Sequence, residues 1–281
     1  MPEKLSRWTR FKRFLKRNMT PLWAKRFSYQ VLSLLISIAM VVGVAMYAFT
    51  KSYDSRKLSF VDGFTITAHT GAFNTPANSI ESVQAAIDNN LDICEIDIRR
   101  RPDGTIVMGH DIITTNNDGV EVSVVFDIVK KTKMKINLDI KDTKALPGLY
   151  ESICSHSMEK QVFLTGIEQN QADEVQRDCP GIDYYINYTP SRLKIFTEDY
   201  QKKIIDMLEK TGGIGINCNH TYASKTLSEL LHKHGYKLSV WTVDREYQMK
   251  RALVNKPDNI TTREVELLNK VIENWGNKDK K

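Results

Sequence analysis

Three carboxylic acids are spaced so that they could share one cation. Glu95 and Asp97 stand two residues apart in the segment ICEIDIR, and Asp139 stands in the segment KINLDIK. Because side chains alternate across a β-strand, Glu95 and Asp97 would point to the same face. Three converging carboxylates repel one another unless a cation lies between them, and hard oxygen ligands suit Mg²⁺ or Ca²⁺. The spacing therefore predicts a site for one divalent cation.

Two histidines stand at the ends of extended segments. His69 ends the run FTITAH, and His110 follows TIVMG and precedes Asp111. Two imidazoles beside such a cation could supply a general base and a general acid. A structural role for both is the alternative.

The elements that would position these residues alternate between strands and helices. Asn78, with Glu81 three residues later, predicts the start of the first helix through a capping box. Eight strands alternating with helices over about 215 residues predict an α/β protein with a (β/α)8, or TIM, barrel, in which the active site lies at the C-terminal ends of the strands. A doubly wound open sheet is the alternative, but no glycine-rich dinucleotide loop follows the first strand. The predicted strands are residues 64–69, 93–99, 135–141, 161–166, 183–188, 213–219, 237–243 and 258–262.

Residues 64–265 resemble the glycerophosphodiester phosphodiesterase family, whose pattern reads H-R-G, P-E-N-T, E-x-D and D-G-x-x-V-x-x-H-D. INLDIK is similar to the third-strand motif of that family, and VWTVD at 240–244 is similar to its V-W-T-x-N/D segment. The positions that match the first four motifs are His69, Gly71, Pro76, Asn78, Glu95, Asp97, Asp103, Gly104, His110 and Asp111.

The resemblance implies a metal-dependent phosphodiesterase, a phosphoric diester hydrolase, on a TIM barrel. Its substrate would be a glycerophosphodiester, a lipid headgroup or a glycerol-phosphate polymer. A phospholipase of the C or D type on the same barrel, or a degenerate membrane-anchored binding domain, are the alternatives. The implied site residues are the metal ligands Glu95, Asp97 and Asp139, the acid–base pair His69 and His110, and the phosphate contact Lys141.

Several positions depart from the family pattern. Thr70 replaces the arginine after the first histidine, which removes a bidentate phosphate contact. Arg99 has the strand parity of Glu95 and Asp97 and is a candidate to replace that arginine. Trp241 is predicted to line the substrate pocket, with an ordinary core position as the alternative.

The N-terminal part of the chain has the composition of a membrane anchor. Residues 27–50 form a run of 24 residues without a charge, long enough for a helix to cross a hydrocarbon core of about 30 Å. Nine lysines and arginines precede this run within residues 1–26, and the positive-inside rule then places the N-terminus in the cytoplasm and the rest of the chain outside. We expect residues 27–50 to contact membrane lipid as a single-pass signal anchor.

The charge distribution bears on the class of partner. The net charge of +6 comes from the N-terminal arm, and the rest of the chain is slightly acidic, so a nucleic-acid partner is not expected. The predicted organisation is a basic arm at 1–26, a transmembrane segment at 27–50, a stalk at 51–62, a barrel at 63–275 and a charged tail at 276–281.

Overall fold

The computed structural model describes residues 7–18 and 20–276. The chain divides into two compact units, Met1–Ser52 and Tyr53–Lys281. The beginning of the predicted basic arm and nearly all of the predicted tail lie outside the described residues. The two units are taken separately below.

The N-terminal unit is helical. Helix α1 spans Arg7–Asn18 and helix α2 spans Pro21–Asp54. Thr20 caps α2 by accepting a hydrogen bond from the N–H of Trp23, and proline occupies the first helical position, where no N–H is needed. Within α2, Pro21–Ala48 contains an 18-residue window with a mean hydropathy of 2.4 and is long and apolar enough to cross a membrane. The helix continues beyond residue 50 into the predicted stalk.

The second unit is the predicted TIM barrel. Among the described residues, eight parallel strands pair in sequence order, and the pairing of the first with the last closes the barrel. An antiparallel ribbon is appended to this barrel: β3 (Ile106–Met108) pairs with β2 (Ile93–Arg100) on one side and with β4 (Val120–Glu121) on the other. The strands are β1 (Thr65–Ala68), β2 (Ile93–Arg100), β3 (Ile106–Met108), β4 (Val120–Glu121), β5 (Lys135–Ile140), β6 (Val162–Ile167), β7 (Tyr184–Asn187), β8 (Gly215–Asn219), β9 (Lys237–Trp241) and β10 (Asn259–Thr262).

Helices connect the barrel strands as the sequence predicts, with one addition. Helix α4 (Val122–Val129) was not predicted, because its sequence VSVVFDIV is rich in valine and isoleucine, which are more typical of strands. The helices of this unit are α3 (Ile80–Asp88), α4 (Val122–Val129), α5 (Leu146–Ser155), α6 (Ala172–Asp178), α7 (Glu198–Thr211), α8 (Lys225–Lys233), α9 (Glu246–Val254) and α10 (Val265–Glu273).

The two faces of the barrel strands differ in polarity. The apolar core lies between the strands and the helices, where β2 buries Cys94, Ile96 and Ile98. On the opposite face of the strands, several side chains are polar and buried, and hydrogen bonds join them. Thr67, for example, donates to Asn259 at 2.8 Å. Because buried polar groups are costly when unpaired, this network favours one arrangement of the polar side chains.

Candidate active site

A cleft of about 690 Å³ opens at the C-terminal end of the barrel, and each barrel strand or the residue that follows it contributes to its wall. Seven of the predicted site residues line this cleft: Glu95, Asp97, Asp139, His69, His110, Lys141 and Trp241. The eighth, Arg99, is not among the lining residues.

The three predicted metal ligands converge in the cleft. Glu95, Asp97 and Asp139 each offer a carboxylate oxygen, and these oxygens lie within 4.8 Å of one another. Glu95 is only 5% exposed and accepts a hydrogen bond from the N–H of Thr70 at 2.9 Å. Burial, followed by the charges of Asp139 and Asp97, raises the pKa of Glu95 well above its ordinary value. Such crowding of three carboxylates, two of them buried and the third half-buried, is typical of sites that bind a cation.

The ammonium group of Lys141 bridges two of these acids. Its Nζ lies 2.6 Å from Asp139 and 3.0 Å from Asp97. Burial alone would lower the pKa of Lys141, but the interactions with Asp139 and Asp97 outweigh it and raise the pKa to about 12. Lys141 is therefore charged at neutral pH and offsets part of the negative charge.

Asn78 binds Asp97, one of the three predicted metal ligands, rather than capping a helix. Its Nδ2 donates to Asp97 Oδ2 at 2.7 Å, and its Oδ1 accepts from the N–H of Asp97 at 2.9 Å. The predicted capping role is wrong, because Ser79 is the N-cap of α3 and accepts from the N–H of Ser82. Asn78 adopts a φ of 52°, in the left-handed region that asparagine tolerates better than most residues.

Strand β6 packs tightly against the third ligand. Thr165 donates either to Asp139 or to Asn137, at 3.0 and 2.8 Å. The next residue, Gly166, has a φ of +75°, and a Cβ there would lie 2.5 Å from Asp139 Oδ1 and 2.4 Å from the main-chain oxygen of Ile140. A glycine is therefore required beside Asp139.

His69 lies at the edge of the three acids Glu95, Asp97 and Asp139, which we call the acidic trio. Its side chain is 18% exposed, and Nδ1 lies 3.0 Å from the main-chain oxygen of Thr70. This contact requires a proton on Nδ1, which leaves Nε2 as the acceptor in the neutral ring. Burial lowers the pKa of His69, and the nearby charge of Arg263 acts in the same direction. His69 is therefore mainly neutral near pH 7, the form that a general base needs.

His110 stands on the segment between β3 and β4 and is much more exposed. Its side chain is 70% exposed, and Nδ1 lies 3.0 Å from Asp111, which orients the ring. Arg99 donates from Nε and Nη2 to the main-chain oxygen of His110 at 3.1 and 2.9 Å. Arg99 thus supports the backbone that carries His110, and the geometry gives it no direct place in the cleft.

The arginine of the cleft is Arg263, which follows β10 and was not predicted. Its guanidinium lies 3.4 Å from Asp244 and its side chain is 48% exposed. Asp244 also accepts from the N–H of Arg263 at 2.8 Å and so fixes the start of this side chain. The signal available in the sequence was the position directly after the last barrel strand, the part of a barrel from which site residues come.

Trp241 forms part of one wall and is shared with a second cavity. The side chain of Trp241 is 37% exposed, and Asn187 and Asn217 are the other residues common to both cavities. The second cavity has a volume of about 730 Å³ and is lined mainly by amides, hydroxyls and aromatic rings. The cleft can therefore accept a group larger than phosphate.

Together these features define a TIM-barrel protein with an acidic candidate metal site flanked by two imidazoles. No protein-family profile matches the chain. A curated relative, named glycerophosphodiester phosphodiesterase, from Caldanaerobacter subterraneus subsp. tengcongensis is 23% identical over 256 residues, which cover 75% of this chain and 98% of the relative.

Solved structures agree with the fold. The glycerophosphodiester phosphodiesterase of Thermotoga maritima matches with a TM-score of 0.55 at 19% identity, over 74% of this chain and 98% of that one. A phosphodiesterase of Oleispira antarctica, solved with its product sn-glycerol-3-phosphate, matches with a TM-score of 0.62 at 15% identity, over 80% of this chain and 99% of that one. The predicted resemblance to glycerophosphodiester phosphodiesterases is confirmed, and the predicted class, a phosphoric diester hydrolase, is the class of these relatives.

Proposed function

We propose that the barrel is a metal-dependent phosphodiesterase that hydrolyses glycerophosphodiesters or related lipid headgroup and glycerol-phosphate substrates. The observation that carries the proposal is the convergence of Glu95, Asp97 and Asp139 within 4.8 Å, in a cleft that also contains His69 and His110. The names of the relatives support the substrate class. Hydrolysis at a cleft in this position is consistent with the usual location of TIM-barrel active sites.

The residues present fit one divalent cation. Glu95, Asp97 and Asp139 would hold it, and three hard carboxylate oxygens favour Mg²⁺ or Ca²⁺ over softer metals. Lys141 is ion-paired with Asp97 and Asp139, so one ammonium group faces three carboxyl groups, and a bound cation would relieve the repulsion that helps to raise the pKa of Glu95. When bound, the cation would polarise the phosphoryl oxygen and lower the pKa of a nearby hydroxyl or water.

The two histidines divide the proton transfers. The neutral His69, with Nδ1 held by the main-chain oxygen of Thr70, has Nε2 available to take a proton from the attacking hydroxyl or water. His110, oriented by Asp111, donates a proton to the departing alkoxide. Their different environments, one partly buried and one exposed, support these separate roles.

Two cations of the chain contact the phosphodiester. Lys141 offsets negative charge at the centre of the cleft, and Arg263 presents a partly exposed guanidinium from the wall next to His69. A guanidinium can form two parallel hydrogen bonds with phosphate oxygens, which fixes the orientation of the anion. Arg263 thereby takes the role that the sequence analysis gave to Arg99, and Trp241 forms a wall for the organic part of the substrate.

The N-terminal unit determines where this reaction occurs. We propose that residues 27–50 cross the cell membrane once, with residues 1–26 in the cytoplasm, residues 51–62 as a connecting segment and the barrel at 63–275 outside. The apolar length of Pro21–Ala48 and the excess of lysine and arginine before residue 27 support this orientation. A tethered site favours lipid headgroups or glycerol-phosphate polymers as substrates.

The test is an assay of the detergent-purified full chain for glycerol phosphate release from glycerophosphocholine. We expect release that stops with EDTA and returns with Ca²⁺ or Mg²⁺. His69→Ala should lose about 10²–10⁴-fold in kcat/KM, the usual contribution of general acid–base catalysis. Equal release by His69→Ala would refute the role of His69. Absence of turnover, with no cation bound in calorimetry, would favour the degenerate binding domain, and release of choline phosphate or phosphatidic acid from phosphatidylcholine would favour a phospholipase.

A further inference from the structure

The loop between β7 and α7, residues 188–197, exposes large apolar side chains at the end of the barrel that contains the cleft. We call it the rim loop. Leu193 is 84% exposed and Phe196 is 69% exposed. The loop begins at the cleft, since Asn187 lines it and Tyr188 lines the adjoining cavity. Exposed side chains of this size beside a cleft are typical of contact surfaces.

The fold holds these side chains outward. Ile195, between them in the chain, is 2% exposed and packs in the core. Tyr200 of α7 accepts from the N–H of Ser191 at 2.8 Å, and Gln201 donates to the main-chain oxygen of Ile195 at 2.8 Å. The exposure of Leu193 and Phe196 is therefore set by a hydrogen-bonded loop.

Positive charges alternate with the apolar side chains. Arg192 and Lys194 flank Leu193, and both are exposed. The guanidinium of Arg192 lies 5.2 Å from the ring centroid of Tyr222. The rim loop contains no acid, and Glu198 and Asp199 follow it in the first turn of α7, where negative charge stabilises the start of the helix. A surface that is both basic and apolar matches the headgroup region of a bilayer containing anionic lipid.

Other residues at the same end of the barrel add exposed apolar and aromatic groups. Tyr222 follows β8 and Trp241 ends β9, and each is 37% exposed. Ile112, two residues after His110, is 78% exposed. Tyrosine and tryptophan favour membrane–water interfaces because their rings are apolar and their edges are polar.

We propose that the rim loop is a lipid-contact surface, which inserts Leu193 and Phe196 among the headgroups of an anionic bilayer while Arg192 and Lys194 pair with lipid phosphates. A bilayer is the partner because basic and apolar groups alternate here, and because the same chain has a helix long enough to enter one. The surface places the mouth of the cleft at the headgroup level. This contact requires no catalysis, so it stands or fails separately from the proposed function.

The test measures the depth of a label in the bilayer. The full chain, in a Cys154→Ser background that removes the exposed native thiol, is reconstituted into vesicles of phosphatidylcholine with or without phosphatidylglycerol. A nitroxide is placed at Leu193→Cys or Phe196→Cys. The matched control is Lys160→Cys, an exposed position just before β6 at the opposite end of the barrel. Collision rates with oxygen, which concentrates in lipid, and with a water-soluble nickel chelate are measured by electron paramagnetic resonance.

In anionic vesicles, we expect the ratio of the collision rate with oxygen to that with the nickel chelate to be at least about threefold higher at positions 193 and 196 than at position 160. A higher ratio is the direction expected for side chains inserted about 5–10 Å into the bilayer. The ratio should fall when phosphatidylglycerol is omitted, and in Arg192→Gln/Lys194→Gln. Ratios at 193 and 196 equal to that at 160 would overturn the proposal. Spin–spin broadening that is the same with and without anionic lipid would indicate contact between two copies of the chain and would also overturn it.

Discussion

Replacing Glu95 with glutamine should stabilise the metal-free protein. Glu95 lies within 4.8 Å of two other carboxylates, and at an effective dielectric constant of about 20 each such pair of charges repels by about 3.5 kcal/mol. The ionised Glu95 faces two such repulsions, from Asp97 and Asp139, about 7 kcal/mol in gross terms, and the nearby ammonium of Lys141 offsets part of them. Glutamine keeps an oxygen that can accept from the N–H of Thr70 and removes the charge.

The realised gain is smaller because the native protein can protonate Glu95 instead. The raised pKa means that the folded state binds a proton more readily than the unfolded state does. The stabilisation of the folded state that comes from this proton binding is therefore fully present below the ordinary pKa of Glu95, about 4.5. It is lost as pH rises through the raised pKa. Each unit of the rise corresponds to about 1.36 kcal/mol. At pH 8 we expect metal-free Glu95→Gln to be more stable than the parent by about 1–3 kcal/mol.

The same substitution should abolish stabilisation by a divalent cation. A cation at one hundred times its dissociation constant would stabilise the parent protein by about 2.7 kcal/mol, and each kcal/mol is worth about 2–4 °C in Tm for a unit of this size. The Tm of the EDTA-treated full chain in detergent is followed by circular dichroism during titration with Ca²⁺ and Mg²⁺. Glu209→Gln, an exposed acid on α7, is the control and should behave as the parent. The reasoning is refuted if Glu95→Gln is no more stable without metal and keeps the same cation-induced shift.

Three further predictions concern the histidine, the arginine and the thiols. Because burial lowers the pKa of His69, the acidic limb of a pH profile of kcat/KM should lie below about 6.5, and a limb above 7 would contradict a neutral His69. Arg263→Gln should raise KM for a phosphodiester at least about tenfold. It should also move the acidic limb of the pH profile to higher pH, because a charge that lowers the pKa of His69 is removed. An unchanged KM and an unchanged limb would exclude Arg263 from the site. Near pH 8 without reductant, Ellman's reagent should titrate about one thiol in the native chain, that of the exposed Cys154, because burial raises the pKa of the other three thiols to about 12. After denaturation it should titrate four thiols. A result of two thiols in denaturant would instead reveal a disulfide.

The acidic trio could be predicted from the sequence because strand periodicity is a local property. Glu95 and Asp97 share parity on one strand, and the parallel register pairs Asp97 with Asp139 of the next. The barrel followed from the same kind of reasoning, since alternating strands and helices leave few topologies. The membrane-length helix was visible because one apolar run suffices to detect it.

The remaining site residues depend on contacts between distant parts of the chain. Asn78 has the sequence context of a helix cap, but a tertiary contact with Asp97 determines its role. Arg99 has the parity of the ligands, yet it lies near the end of β2, where the appended ribbon provides the carbonyl of His110. Arg263 enters the cleft only because β10 closes the barrel beside β1, and that pairing joins residues almost two hundred positions apart.

At Gly166, even a substitution by alanine would disturb the cleft. Exchange for alanine adds one methyl group, which would meet Asp139 and the backbone of Ile140 at distances that no real Cβ adopts. A genetic screen for inactive alleles should therefore recover substitutions at this codon alongside those of the charged residues. Such alleles would retain every acid, base and cation of the cleft and would still lose the alignment of one carboxylate.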